Sequence, residues 1–325
     1  MADLVPSISP EVKRAVERAR RVRRYVDASK SDNTKRAYES HLKDFGEFCA
    51  EHHYSSLPAL PAAVIDYFTF LADIGAKMST IQVKAAAISY AHRAAHMDNP
   101  MRSLEVQETL RGIRRTIGTA QQGKAPITLP ELRKLIDVVM MSPDELRRLR
   151  DRALLLLGYA GAFRRSELSN LTVVDLEFGK DRITVKVRKS KTDQEGRGMT
   201  KMIPRLKGSS LCPVSALQKW LHAAEITHGP LFRPIDRWGH IHDRTMTDKE
   251  VARIVKKYAA AAGLDPTIFA GHSLRAGFVT EAAGRDVPVW RIKQQTGHKN
   301  DAVLQRYIRD QGHGAENAVL SVFRE

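Results

Sequence analysis

Four separated segments concentrate side chains that could do chemistry: Ala162-Phe-Arg-Arg-Ser-Glu-Leu168, Arg188-Lys-Ser-Lys-Thr192, Gly271-His-Ser-Leu-Arg275, and Gly297-His298 with Tyr307 nine residues later. His272 and Arg275 stand three apart, so at a helix start they project from one side and can grip a single anionic group. A capping histidine beside a surface arginine would show the same spacing. Arg164 closes an apolar run and, if buried, needs a carboxylate or a bound phosphate as partner. Glu167 at i+3 can orient it, although an ordinary Arg–Glu surface pair has that spacing too. No HExxH or paired-Asp spacing offers a zinc or magnesium site, and no GxxxxGK[ST] run offers a nucleotide loop, so no cofactor is expected.

The charge balance indicates what such cations would meet. Fifty-three Lys and Arg against 37 Asp and Glu leave the 325-residue chain at +16. A field of that sign favours polyanions, with nucleic acid the obvious candidate, and a basic soluble protein of other function would carry the same charge. The two cysteines, Cys49 and Cys212, are isolated and form neither a disulfide framework nor a CxxC zinc site. The longest apolar run, Ala153 to Phe163, is too short to span a bilayer, and the N-terminus lacks the pattern of a signal peptide. A soluble cytoplasmic protein without a membrane partner is expected.

Hydrophobic periodicity assigns the elements that must position these groups. Ser9-Pro10 opens a helix bearing Val12, Val16, Ala19, Val22 and Val26. A second helix begins near Ser31, a third carries Val64, Phe68 and Leu71, Ser79 caps a fourth, and Val106, Leu110, Ile113 and Ile117 line a fifth. Periodicity stops between Gly118 and Ile127, which reads as a linker. Beyond it, helices over 129–141 and 143–163 precede an alternating strand, Arg182 to Arg188, whose partner lies around Met199 to Pro204. Helices follow at 213–224, 248–262, 274–283, 288–295 and 302–309. The expected fold is mainly α: an all-helical N-terminal domain, 1–124, and a mainly helical domain, 125–325, with a small antiparallel β-sheet and a tail over 312–325.

Taken together and in this order, the four segments resemble the tyrosine recombinase, or phage integrase, family, in which Arg, Lys, His-x-x-Arg, His or Trp, and Tyr recur. Within it the chain is similar to Cre-like members, on the spacings from Arg275 and His298 to Tyr307 and on Thr80-Ile81-Gln82 and His92-Arg93. The resemblance implies that Tyr307 attacks a DNA phosphodiester to give a 3′-phosphotyrosyl link and a free 5′-hydroxyl. Arg164 and Arg275 would hold the nonbridging oxygens, with Arg165 the less favoured alternative to Arg164, and Glu167 would orient the guanidinium. His272 would accept the tyrosine proton, and Lys191, or Lys189 two residues away, would protonate the leaving oxygen. His298 would bond to the phosphate or position the tyrosine.

The same resemblance implies a core-binding N-terminal domain that clamps DNA with the catalytic domain, and an inverted-repeat site. Arg36, Lys77, Lys84, Arg188 and Lys189 are candidate DNA contacts, each equally open to a solvated surface role. In the tail, Val319, Leu320, Val322 and Phe323 are too few to persist as a helix without a docking surface. Exchange of such tails between protomers would build a homo-tetramer on DNA, in a nucleoid-associated protein of bacterial, phage or mobile-element origin. Two rivals stand beside this reading: a type IB topoisomerase, which uses a closely similar residue set, and a noncatalytic DNA-binding regulator that keeps the fold.

Overall fold

A computed structural model describes residues 18, 30–119, 124–188, 198–298 and 304. The chain divides into two compact units, Met1–Gln122 and Gly123–Glu325. Apart from residues 18 and 304, the helices expected over 10–26 and 302–309 lie outside the described residues, as do the tail over 312–325 and Lys189, Lys191 and Tyr307.

The described part of the first unit is helical: α1 (Asp32–Glu51), α2 (Pro61–Asp73), α3 (Met78–Ala94) and α4 (Leu104–Ile117), with a 3-10 turn at Pro100–Arg102. Ser31 caps α1 by accepting from the Thr34 amide, which satisfies one of the donors that a helix start leaves open. Phe45, Phe48, Tyr67, Phe68, Ile81 and Val106 form the core. The N-cap of α3 is Lys77, so Ser79 sits in the first turn and not at the cap position expected for it.

Lys84 points into this core and away from the outward role considered for it. Its ammonium lies 2.5 Å from Asp44 Oδ2 and 2.9 Å from the Tyr67 hydroxyl. Burial lowers its pKa, but the two hydrogen bonds outweigh burial and the ordinary value is raised.

The second unit is built on α5 (Leu129–Met140), α6 (Glu145–Ala160), α7 (Arg165–Ser169), α8 (Pro213–Ala223), α9 (Asp248–Ala261), α10 (Ser273–Gly284) and α11 (Val289–Thr296). Five consecutive residues of α6, Ala153 to Leu157, are buried. A helix apolar on every side must be surrounded, and α6 packs against α5, α8 and α10. Thr128 and Glu131 close a capping box on α5. Close approach of two segments fixes the start of α10: Ile127 donates to the Ser273 carbonyl at 3.0 Å, and a β-carbon on Gly277 would stand 1.8 Å from the Ile127 oxygen.

The sheet runs β1 (Leu176–Phe178), β2 (Arg182–Val187), β3 (Met199–Pro204), all antiparallel, with Val187 opposite Met199 as the last pair before the hairpin loop. β1 has three residues, too few to show alternation, and only β2 and β3 were expected. Ile183, Val185 and Val187 face inward from β2, and Lys201 and Ile203 from β3. Among the described residues, no helix is long and apolar enough to cross a membrane.

Candidate active site

The site forms around the end of α6. A helix leaves its last carbonyls without intrahelical partners and with a partial negative charge, and here side chains from three other elements supply the donors. Gln295 of α11 donates to the Ala160 carbonyl at 2.8 Å. Lys201 of β3 donates to Gly161 at 2.6 Å and to Ala162 at 3.3 Å. Arg275 of α10 donates from Nη1 to Ala162 at 2.7 Å. Ala162 itself adopts φ 44°, a left-handed conformation unusual for a residue with a β-carbon.

That turn delivers Arg164, at the close of the apolar run, in extended conformation to the N-cap of α7. The buried Glu167 takes both ends of Arg164: Oε2 accepts the backbone N–H at 2.9 Å and Oε1 accepts from Nη1 at 2.6 Å. Arg165 is turned elsewhere, with Nη2 2.7 Å from Asp248. Of the two adjacent arginines, Arg164 therefore joins the cluster.

Arg275 also donates from Nη2 to His298 Nε2 at 3.0 Å. Because a guanidinium can only donate, Nε2 must be the acceptor and the ring proton must sit on Nδ1. Nδ1 donates to Thr296 Oγ1 at 2.9 Å, and Thr296 donates onward to the Ile292 carbonyl at 2.7 Å. Gly297, at φ 70°, ends α11 in the left-handed conformation and turns the chain back so that His298 reaches Arg275.

Burial first, then the charges of Arg275, Arg164 and Lys201, pushes His298 down to about 4, so the imidazole is neutral at pH 7. Burial likewise takes Lys201 down to about 7, with Glu167 opposing the fall and Arg275 and Arg164 adding to it. His272 is exposed at the N-cap of α10, one turn before the buried Arg275.

Lys201 was not singled out from sequence, although its alternation with Ile203 on β3 was the available signal. Among the other candidates, Arg36 is exposed and donates to Asn33 at 2.7 Å. Lys77 is exposed at the start of α3. Arg188 is exposed and paired through Nε with the buried Asp175 at 2.5 Å. Lys84 is in the core of the first unit. Among the described residues, no three His, Cys, Asp or Glu side chains gather as a metal-binding group.

Residues 127–313, which carry this whole cluster, match the signature of the phage integrase family. The chain belongs to that family. It is a tyrosine recombinase by sequence relationship: it is 41% identical over 308 residues to an integrase/recombinase XerD homolog of Selenomonas ruminantium, covering 94% of this chain and 89% of the relative. It is more distant from the recombinase Cre of Escherichia phage P1, at 21% identity covering 86% and 84%. Two solved integrase-family structures share the fold. XerH recombinase bound to a palindromic difH substrate superposes with a TM-score of 0.61 at 16% identity, covering 82% of this chain and 73% of that one. A lambda integrase dimer bound to a core site gives 0.60 at 17%, covering 96% and 84%.

Proposed function

We propose that this tyrosine recombinase cuts and rejoins double-stranded DNA at specific sites through a 3′-phosphotyrosyl intermediate on Tyr307. The observation that carries the reading is the meeting of Arg164, Arg275 and neutral His298 around one helix end, in a chain related to known recombinases. A phosphodiester gains negative charge as a nucleophile adds, and preorganised guanidiniums stabilise that charge without reorganising at the moment of reaction. Arg164 is held by Glu167, and Arg275 by the Ala162 carbonyl and His298, so both guanidiniums are fixed in place before substrate arrives.

His272 accepts the Tyr307 proton, since a phenol of ordinary pKa about 10 needs an acceptor near neutrality. Lys191, or Lys189, protonates the leaving 5′-oxygen. His298, whose Nε2 accepts from Arg275, acts on the phosphate chiefly by fixing that guanidinium. The phosphoryl bond energy passes to the tyrosine and back, so no ATP is required, and the two guanidiniums supply the positive charge that a metal ion would bring. Two inverted-repeat sites and four protomers joined by their 312–325 tails complete the reaction.

The test is a nicked duplex that loses its 5′-hydroxyl fragment on cleavage, incubated in EDTA, with the covalent adduct mapped by mass spectrometry. The expected adduct is on Tyr307 and vanishes in Tyr307→Phe. An adduct on another residue, or none without divalent metal, overturns the mechanism. Partner exchange between two sites separates recombination from simple topoisomerase relaxation, and truncation after Asp310 is expected to abolish synapsis while sparing single-site binding.

A further inference from the structure

Lys201 is a buried cation beside the site that the proposed chemistry does not use. It is 1% exposed on the inward face of β3, its Nζ lies 4.5 Å from the Phe163 ring centroid, and its hydrogen bonds go to the Gly161 and Ala162 carbonyls. Glu167 attracts it, while Arg164 and Arg275 repel it and it acts in turn on His298. An apolar side chain would fill such a position without the cost of burying charge beside two guanidiniums. Its position matters for another reason: it shares the Ala162 oxygen with Arg275, and the segment it pins leads directly into Arg164.

We infer that Lys201 is a positioning residue for strand cleavage, tying the Gly161–Ala162 turn to β3 and so setting the separation of Arg164 and Arg275. The inference rests on the phosphate-gripping role proposed for those arginines. Lys201 is buried and its hydrogen bonds go to the turn, so it acts through the turn. Its low pKa makes the tie sensitive to pH near neutrality, with Glu167, Arg164, Arg275 and His298 as the ionisable groups around it.

The experiment uses the full chain and a duplex selected from a random-sequence library by the Tyr307→Phe protein, then nicked to trap the adduct. Lys201→Met keeps length and removes the donors. It is expected to bind the duplex within about twofold of wild type and to form the adduct at least tenfold more slowly. Wild-type cleavage by Lys201→Met, or a rate loss matched by equal losses of affinity and folded protein, overturns the role. If Lys201→Met does not fold, Lys201→Gln decides, because it keeps a polar group but is too short to span to the turn. Slower adduct formation by Lys201→Gln at unchanged DNA affinity supports the inference, and a wild-type rate refutes it. Failure of the wild-type protein itself to form any adduct would sink the cleavage reading and this role with it.

Discussion

Arg275 donates to His298 Nε2 at 3.0 Å, and the proton this forces onto Nδ1 is taken by Thr296 at 2.9 Å. The tautomer of the imidazole is thus set from both sides, by an arginine and by a threonine two residues upstream.

Thr296→Val removes the acceptor for Nδ1–H but keeps the shape of the side chain. An unpaired buried N–H costs about 1–3 kcal/mol, so the ring is expected to reorient and loosen Arg275. Adduct formation should fall roughly tenfold by that arithmetic, with DNA affinity little changed. Proton–nitrogen NMR of the imidazole checks the cause: an unchanged Nδ1–H signal with unchanged rate would remove Thr296 from the account.

Acid should unfold the second unit partly through His298. Its folded pKa of about 4 lies below its ordinary 6.5, so the stability it confers is full above pH 6.5 and is lost as pH falls through 4. The slope over that window is at most ~1.4 kcal/mol per pH unit, less whatever solvent screens. Urea unfolding of wild type and His298→Gln at pH 4.5 and 6.5 should converge at the lower pH.

Lys201 gives the opposite end of the scale. With a folded pKa of about 7 against the ordinary 10.5, the unfolded chain binds more protons between those values. Stability at this position therefore rises with pH across the window and falls as pH drops toward 7, by about 1.4 kcal/mol per unit. The stability difference between wild type and Lys201→Met should grow in favour of wild type from pH 7.5 to 9. A pH-independent difference would mean that the ammonium stays charged throughout.

Gly277→Ala places a methyl 1.8 Å from the Ile127 oxygen, a main-chain atom that cannot swing aside. The loss should exceed the ~1–3 kcal/mol usual for an overpacked side chain and should show as a large drop in unfolding midpoint. A drop of a degree or two would show that the Ile127 segment yields easily.

Lys84 and Arg36 separate core charge from surface charge. Lys84→Met should lower the thermal midpoint of the first unit, by about 1–2 kcal/mol given that Asp44 is half exposed, without changing how DNA affinity falls with salt. Arg36→Ala should leave the midpoint in place. If Arg36 meets a phosphate, it should lessen the salt slope by about one.

Much of this architecture was legible because it is written in apolar spacing. The uninterrupted run Ala153–Leu157 marks a helix surrounded on all sides, and alternation from Arg182 to Val187 marks β2. Polar residues were harder to place. Lys84 carries a charge that reads as surface until Asp44, forty residues away, is seen beside it. Lys201 hides for the same reason, since its acceptors are backbone carbonyls that no residue type announces. Arg164 was legible as a member of the site, but not its conformation, because the φ 44° of Ala162 is imposed by tertiary contacts on a residue with no local preference for it.

Those main-chain acceptors have a consequence for how the site can drift. Substitution can delete Gln295, Lys201 or Arg275, but no substitution at Ala160 or Ala162 can delete the oxygens they hold. The fixed half of each contact belongs to the backbone, so the separation of the two guanidiniums is exposed to mutation at three donor positions on α11, β3 and α10. Glycine at position 162, which relieves the left-handed conformation without touching its carbonyl, is the replacement that the turn should accept most readily.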